Sequence, residues 1–188
     1  MDINLKKLEN AILFFINKSG GRIDRMKLMK LLWLSDRLHL AKYGRLILKD
    51  RYKALPKGPV PSLGLDMSQK GLPNGVIVIE NEYKVCSETP FDNEYFSKSD
   101  LKIMNYVWDK FKNISSHDFS EYSHKYPEWI RYKNLLNNKY APNSYDIVIQ
   151  DFFEFPNLEE FSDILDKEEI SLSKEEFNIK NSIQSILD

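Results

Sequence analysis

The chain of 188 residues is 42% hydrophobic and 13% aromatic, enough apolar surface for one domain with or without a tail. Its apolar run Ala11 to Ile16 falls far short of the ~18 to 20 residues of a membrane span, no signal-peptide pattern follows Lys6 and Lys7, and the single Cys86 excludes an internal disulfide, so a cytoplasmic location is expected. The net charge of −1 conceals a polarity, since residues 1–60 hold 14 Lys and Arg against 5 Asp and Glu whereas residues 151–188 hold 11 acids against 3 Lys, which suggests a charged partner surface or a solvated acidic tail.

Leu5 to Asn17 has apolar residues near helical spacing and is closed by Gly20 and Gly21, so it predicts a first helix. Asp24 is a candidate N-cap for a second helix that runs to about Tyr43 and stops at Gly44. That helix is apolar on almost every side, which places it in the centre of the protein. On a wheel of about 100° per residue, Lys27, Lys30 and Arg37 share one edge, while Asp36 and His39 fall among apolar residues. A carboxylate there needs a partner. Nearby Arg or Lys side chains, or N–H groups of the Lys57–Pro61 turn, are the expected ones.

Arg51 to Leu55 predicts a short extended piece, and Gly58-Pro59-Val60-Pro61 a rigid corner, because two prolines fix φ and remove two donors. Ser62 to Gln69 has room for a turn or two of helix. Gly75 to Glu80 and Tyr83 to Ser87 are β-branched or apolar runs separated by Asn81-Glu82, which predicts one β-hairpin. Ser97-Lys-Ser-Asp100 opens an amphipathic helix, Ser115 or Ser116 caps another, and Pro127 fits the first turn of a segment carrying Trp129. Asn143 to Phe155 fits strand or helix. Two acidic helices are expected at the end: Leu158 to Ile170, and one opened by a capping box at Ser173-Lys-Glu-Glu176 and reaching Leu187. The fold expected is mainly α with a small β element, a compact helical domain around a buried central helix. Residues 1–150 form the domain and 151–188 an acidic helical extension packed on or near it.

Few of the usual signatures of chemistry are present. The three histidines lack the short spacings of a zinc site, so no metal or cofactor is expected. The chain has no Gly-x-Ser-x-Gly elbow, Walker pattern or dinucleotide fingerprint. Asp36 and His39, at i and i+3, are helical neighbours and with Arg37 allow an acid–base reading, against which stands a structural hydrogen-bond network. The basic first third allows nucleic-acid binding, but its charges ride on an all-apolar helix and no known nucleic-acid module is visible.

The stretch from Lys27 to Pro61 resembles the SocA/Panacea-type antitoxin domain, also met as a phage-associated domain. The matching residues are Lys27, Leu28, Lys30, Leu31, Leu32, Asp36, Arg37, His39, Tyr43, Gly44, Arg45, Asp50, Tyr52, Ala54, Gly58, Pro59, Val60 and Pro61. Trp33 and Ser35 stand where that family usually has Tyr and Ala. A second block, with Phe119, Ser123-His124 and Pro127-x-Trp129, is similar to the family's later helix, so the resemblance covers about residues 5 to 135.

The resemblance implies a mainly helical domain without catalytic activity. It implies an antitoxin of a toxin–antitoxin pair that neutralises a cognate protein toxin by direct contact; toxins paired with such domains include toxic small alarmone synthetases. Within it, Asp36, Arg37 and His39 are expected to pin the central helix to the Gly58–Pro61 corner. Three alternatives stay open: an adaptor that hands a partner to a protease, an enzyme using Asp36, Arg37 and His39, and a DNA-binding regulator.

Overall fold

The structure, a computed structural model, describes residues 3–71, 77–79 and 81–187. Helix α1 (Ile3–Lys18) ends at Gly20 and Gly21, whose φ angles of 80° and 91° are open to glycine at no cost. They reverse the chain into a short strand, β1 (Arg22–Asp24). Asp24 then caps the central helix, α2 (Arg25–Tyr43), by accepting from the Lys27 N–H at 3.1 Å. From Leu28 to Ala41 every residue of α2 is buried. Gly44 closes it in the left-handed region, with φ of 64° and its N–H donated to the Leu40 carbonyl.

Strands β2 (Tyr52–Leu55) and β3 (Gly58–Pro61) form a tight antiparallel hairpin across Pro56-Lys57, with Leu55 opposite Gly58 and Tyr52 opposite Pro61. The expected rigid corner is therefore itself a strand. Both prolines are tolerated because β3 is the edge of its sheet. The Ser62 N–H reaches the Arg51 carbonyl, so the alternating Pro59 and Pro61 nitrogens point away from β2. Helix α3 (Ser62–Lys70) follows, its first N–H groups at Leu63 and Gly64 capped by the Asp50 carboxylate.

Of the expected hairpin after residue 75, Val78–Ile79 (β4) and Lys84–Cys86 (β5) pair as predicted; residues 75, 76 and 80 lie outside the described ones. β5 also pairs with β1, Ile23 opposite Val85, so this sheet has three strands. Helix α4 (Lys98–Phe111) opens with a capping box between Ser97 and Asp100, α5 (Ser116–Ser123) with Ser115, and α6 (Pro127–Ile130) with Pro127 in its first turn. A four-residue helix, α7 (Lys133–Leu136), follows. The ambiguous segment resolves into β6 (Tyr145–Asp146), which joins β2 as a second three-stranded sheet, and a 3-10 turn at Ile149–Phe153. Where one hairpin is expected, the described residues form two small sheets. Strands of two to four residues are too short to alternate visibly in sequence.

The chain after residue 158 also differs from expectation. Leu158–Phe161 is a single 3-10 turn, and one continuous helix, α8, runs from Lys167 to Leu187. Ser173 is not a cap; it is 6% exposed inside α8. The cap is Asp166, which accepts from the Glu169 N–H at 2.8 Å. Ile170, Ser173 and Phe177 share the face that packs on the domain, and that packing carries the helix through a local start signal. The protein is mainly helical around α2, which touches α1, α3, α4, α5 and α8 as well as β1, β3 and the 149–153 turn. Phe152, Phe153, Phe161, Ile164 and Leu165 belong to the same core as α2.

Candidate functional site

Four charged or titratable residues of α2 are wholly buried: Lys30, Asp36, Arg37 and His39, each 0% exposed. Between them they tie the helix to several other elements. Asp36 accepts from the N–H groups of Ile47 and Leu48, at 2.6 and 3.1 Å, and from the Tyr52 hydroxyl at 2.8 Å. It thereby fixes the loop after Gly44 and the start of β2. Burial pushes its carboxyl up to about 6, against the pull of those hydrogen bonds, and pushes the Tyr52 phenol well up.

Arg37 pairs with Glu128 of α6, Nε to Oε1 at 3.0 Å, with neither side chain exposed. Trp33 donates its indole N–H to the same Oε1 at 3.0 Å. The other guanidinium nitrogens donate to the main-chain carbonyls of Asp151, Phe152 and Glu154. Tyr126 and Phe155 flank the guanidinium at 4.4 and 4.3 Å from their ring centres. Burial raises the Glu128 carboxyl and the Arg37 charge opposes it.

His39 donates Nδ1–H to the Arg45 carbonyl at 2.8 Å and turns Nε2 toward Ser99 and Asp100, at 3.1 Å each. Tyr43, one turn on, lies over the imidazole at 4.7 Å. Asp100 is the hub of this corner: Lys7 of α1 and Arg45 reach it at 2.7 Å each, and the Ser97 N–H at 3.1 Å. Burial alone would raise its carboxyl. The hydrogen bonds from His39, Lys7 and Ser97 outweigh that and hold it well below the usual carboxylate range.

Lys30 is the residue that holds the Gly58–Pro61 strand. Its Nζ donates to the Pro59 carbonyl at 2.8 Å, and burial pulls the amine down to about 7. Gly58 makes room for it. At φ of 98°, a Cβ there would run into Ser123 Oγ and stand 2.8 Å from Lys30 Nζ. Val60 and Pro61 are buried behind it. Trp129 ties the other side of the hairpin, donating its indole N–H to the Leu55 carbonyl at 2.9 Å, and His124 stacks on the Trp129 ring at 3.8 Å. Burial lowers the His124 imidazole. Lys27, on the half-buried flank, donates to the carbonyls of Lys112 and Ile114 and so closes the end of α4.

The predicted residues thus form a set of separate ties rather than one cleft. Asp36 and His39 are helical neighbours that both hold the loop after Gly44, but Asp36 reaches on to β2 and His39 to α4. None of Asp36, Arg37 and His39 reaches the β3 strand as expected; Lys30 does, although it shares a helix edge with Arg37. The shared edge misleads because long side chains on a buried helix diverge to find partners. Two residues that complete the network, Glu128 and Asp100, are invisible as partners in sequence. Asp100 reads there as a capping residue, which it also is.

The family model described as antitoxin SocA-like, Panacea domain, matches residues 28–130. No curated protein and no solved structure matches the chain. The matched span starts one residue after Lys27 and takes in Lys30, Asp36, Arg37, His39, the β2–β3 hairpin, Asp100, Glu128 and Trp129, which is the whole network apart from Lys7, Lys27, the Phe155 ring and the carbonyls beyond residue 150. It covers more than half of the chain, and the protein belongs to the SocA-like, Panacea-domain antitoxin family.

Proposed function

We propose that this chain is an antitoxin that neutralises a cognate protein toxin by direct protein–protein contact, and that it has no catalytic activity of its own. The observation that carries this is the family match over the buried network. The geometry supports it in a second way. The polar atoms of Asp36, Arg37 and Glu128 are engaged by protein partners inside a closed core, so they hold elements together and leave little to offer a substrate. In this reading the motif residues are scaffold, and the surface that chooses the partner lies outside them. The extension after residue 150 is the leading place for it. Among the described residues no helix is long and apolar enough to cross a membrane, and the proposed site of action is the cytoplasm.

The test is co-expression with the product of the adjoining open reading frame. That product alone should arrest growth, this chain should restore it, and the two should co-purify as a complex with the toxin level unchanged. A toxin that disappears on co-expression would instead indicate delivery to a protease. Absence of rescue would overturn the antitoxin reading.

A further inference from the structure

Helix α8 has two apolar faces, and the domain covers only one. Ile170 and Phe177 lie on the inner face, Phe177 against Phe153 at 5.7 Å between rings. Leu172, Ile179 and Ile183 are 66%, 60% and 53% exposed. At about 100° per residue these three fall within about 40° of one another and on the side opposite Ile170 and Phe177. Every residue from Asn178 to Ile183 is exposed, so this part of the helix stands clear of the domain. Helices in water draw most of their stability from packing an apolar face. A row of aliphatic residues at i, i+7 and i+11 on such a helix is the pattern of a face that packs on a partner.

The charges around the row say which partner. Glu168 and Glu175 border it on one side and Glu176 on the other. Among the described residues, Glu169 is held by Lys42 and Glu176 by Lys180, while Glu168 and Glu175 have no such cation. Lys174 lies toward the inner side, bound to Glu154. The outer face therefore combines aliphatic side chains with uncompensated carboxylates. A second copy of α8 would bring like charges together. We infer that the outer face of α8, centred on Leu172, Ile179 and Ile183, docks an apolar segment of the cognate toxin that is flanked by Lys or Arg. This rests on the antitoxin reading and assigns its contact surface.

The experiment uses the full chain and the purified product of the adjoining open reading frame. A Leu172→Gln/Ile179→Gln variant keeps helix propensity and touches no core residue. It should unfold at the wild-type temperature yet bind at least tenfold more weakly. A Glu168→Lys/Glu175→Lys variant should bind several-fold more weakly at low salt and show a flatter salt dependence. If the wild type binds and neutralises while both variants match it, the docking face is wrong and the antitoxin reading stands. If the wild type is a dimer by light scattering and the Gln variant a monomer, α8 pairs with its own copy and the inference falls. If the wild type neither binds nor rescues, the antitoxin reading fails and takes this surface with it.

Discussion

Trp33 and Arg37, one turn apart on α2, donate to the same oxygen of Glu128, each at 3.0 Å. The carboxylate is wholly buried, so its charge is compensated only from within the protein. Replacing a partner in such a pair leaves the other charge stranded, at a cost of about 3–5 kcal/mol. Glu128→Ala should therefore lower the unfolding temperature by roughly 6–20 °C for a protein of this size. Arg37→Met should cost less than Arg37→Ala, because Tyr126 and Phe155 would keep an apolar chain between them. Thermal unfolding of the three variants by circular dichroism checks both statements. Melting unchanged in Glu128→Ala would refute the structural role of the pair.

Asp36 supplies a pH signature. Its carboxyl is raised by burial to about 6 from 3.8, so between pH 4 and 6 the folded protein holds a proton that the unfolded chain has lost. This contribution to stability is complete below pH 4 and disappears as pH rises through about 6. Its size is on the order of 3 kcal/mol. Asn at this position still accepts from Ile47 and Leu48 but cannot titrate. Urea midpoints measured across this interval should fall with pH in the wild type relative to Asp36→Asn; parallel curves would sink the assignment.

Lys30 acts in the opposite sense and in a different window. Its amine is lowered by burial to about 7 from 10.5, so the unfolded chain binds the extra proton between these values. The contribution of Lys30 should rise as pH rises from 7 to 10. Lys30→Met should remove that rise, measured as the difference between urea midpoints of the two proteins across the interval. Gly58→Ala should be severe at every pH, because it combines a φ of 98° with a collision against Ser123 and Lys30. About 3 kcal/mol or more is expected from those two mechanisms together.

Truncations separate the core part of the extension from its outer part. Removing residues 156–188 deletes the buried Phe161, Ile164, Leu165 and Ile170. At about 1.5–3 kcal/mol each, that approaches the whole stability of an ordinary domain. A cut after Phe177 instead keeps all four, together with Phe177 on its Phe153 contact. Among the described side chains, that longer chain loses only the exposed ones of residues 178–183, and it should melt within a few degrees of the full protein. Melting curves of the two truncations test this, with a large loss expected only when residues 156–188 are all removed.

Much of this architecture was legible because its signals are local. Asp24 and Gly44 bracket α2, its apolar circumference announces burial, and the Ser97 to Asp100 box starts α4 where the spacing says it should. What stayed hidden depends on distance. Glu128 lies 91 residues from Arg37, and a single carboxylate beside Pro127 carries no mark of its partner. The strands around Ile23 and Tyr145 owe their existence to neighbours supplied elsewhere in the chain. At Ser173 a local start signal was present, but inward packing of Ile170 and Phe177 outweighed it, whereas Asp166 with Glu169 three residues on was the signal in use. The outer face of α8 was the least legible feature, because an aliphatic row on a helix looks the same whether a core or a partner covers it.

Arg37 holds the chain beyond residue 150 through the carbonyls of Asp151, Phe152 and Glu154. A carbonyl is common to every amino acid, so these hydrogen bonds are blind to the side chains at 151, 152 and 154, and it is the Phe155 ring against the guanidinium that reads a side chain. A clamp of that kind fixes the path of the main chain more than the identity of the residues along it. The stretch that follows leaves from that fixed point and returns to the core at Phe161, Ile164 and Leu165.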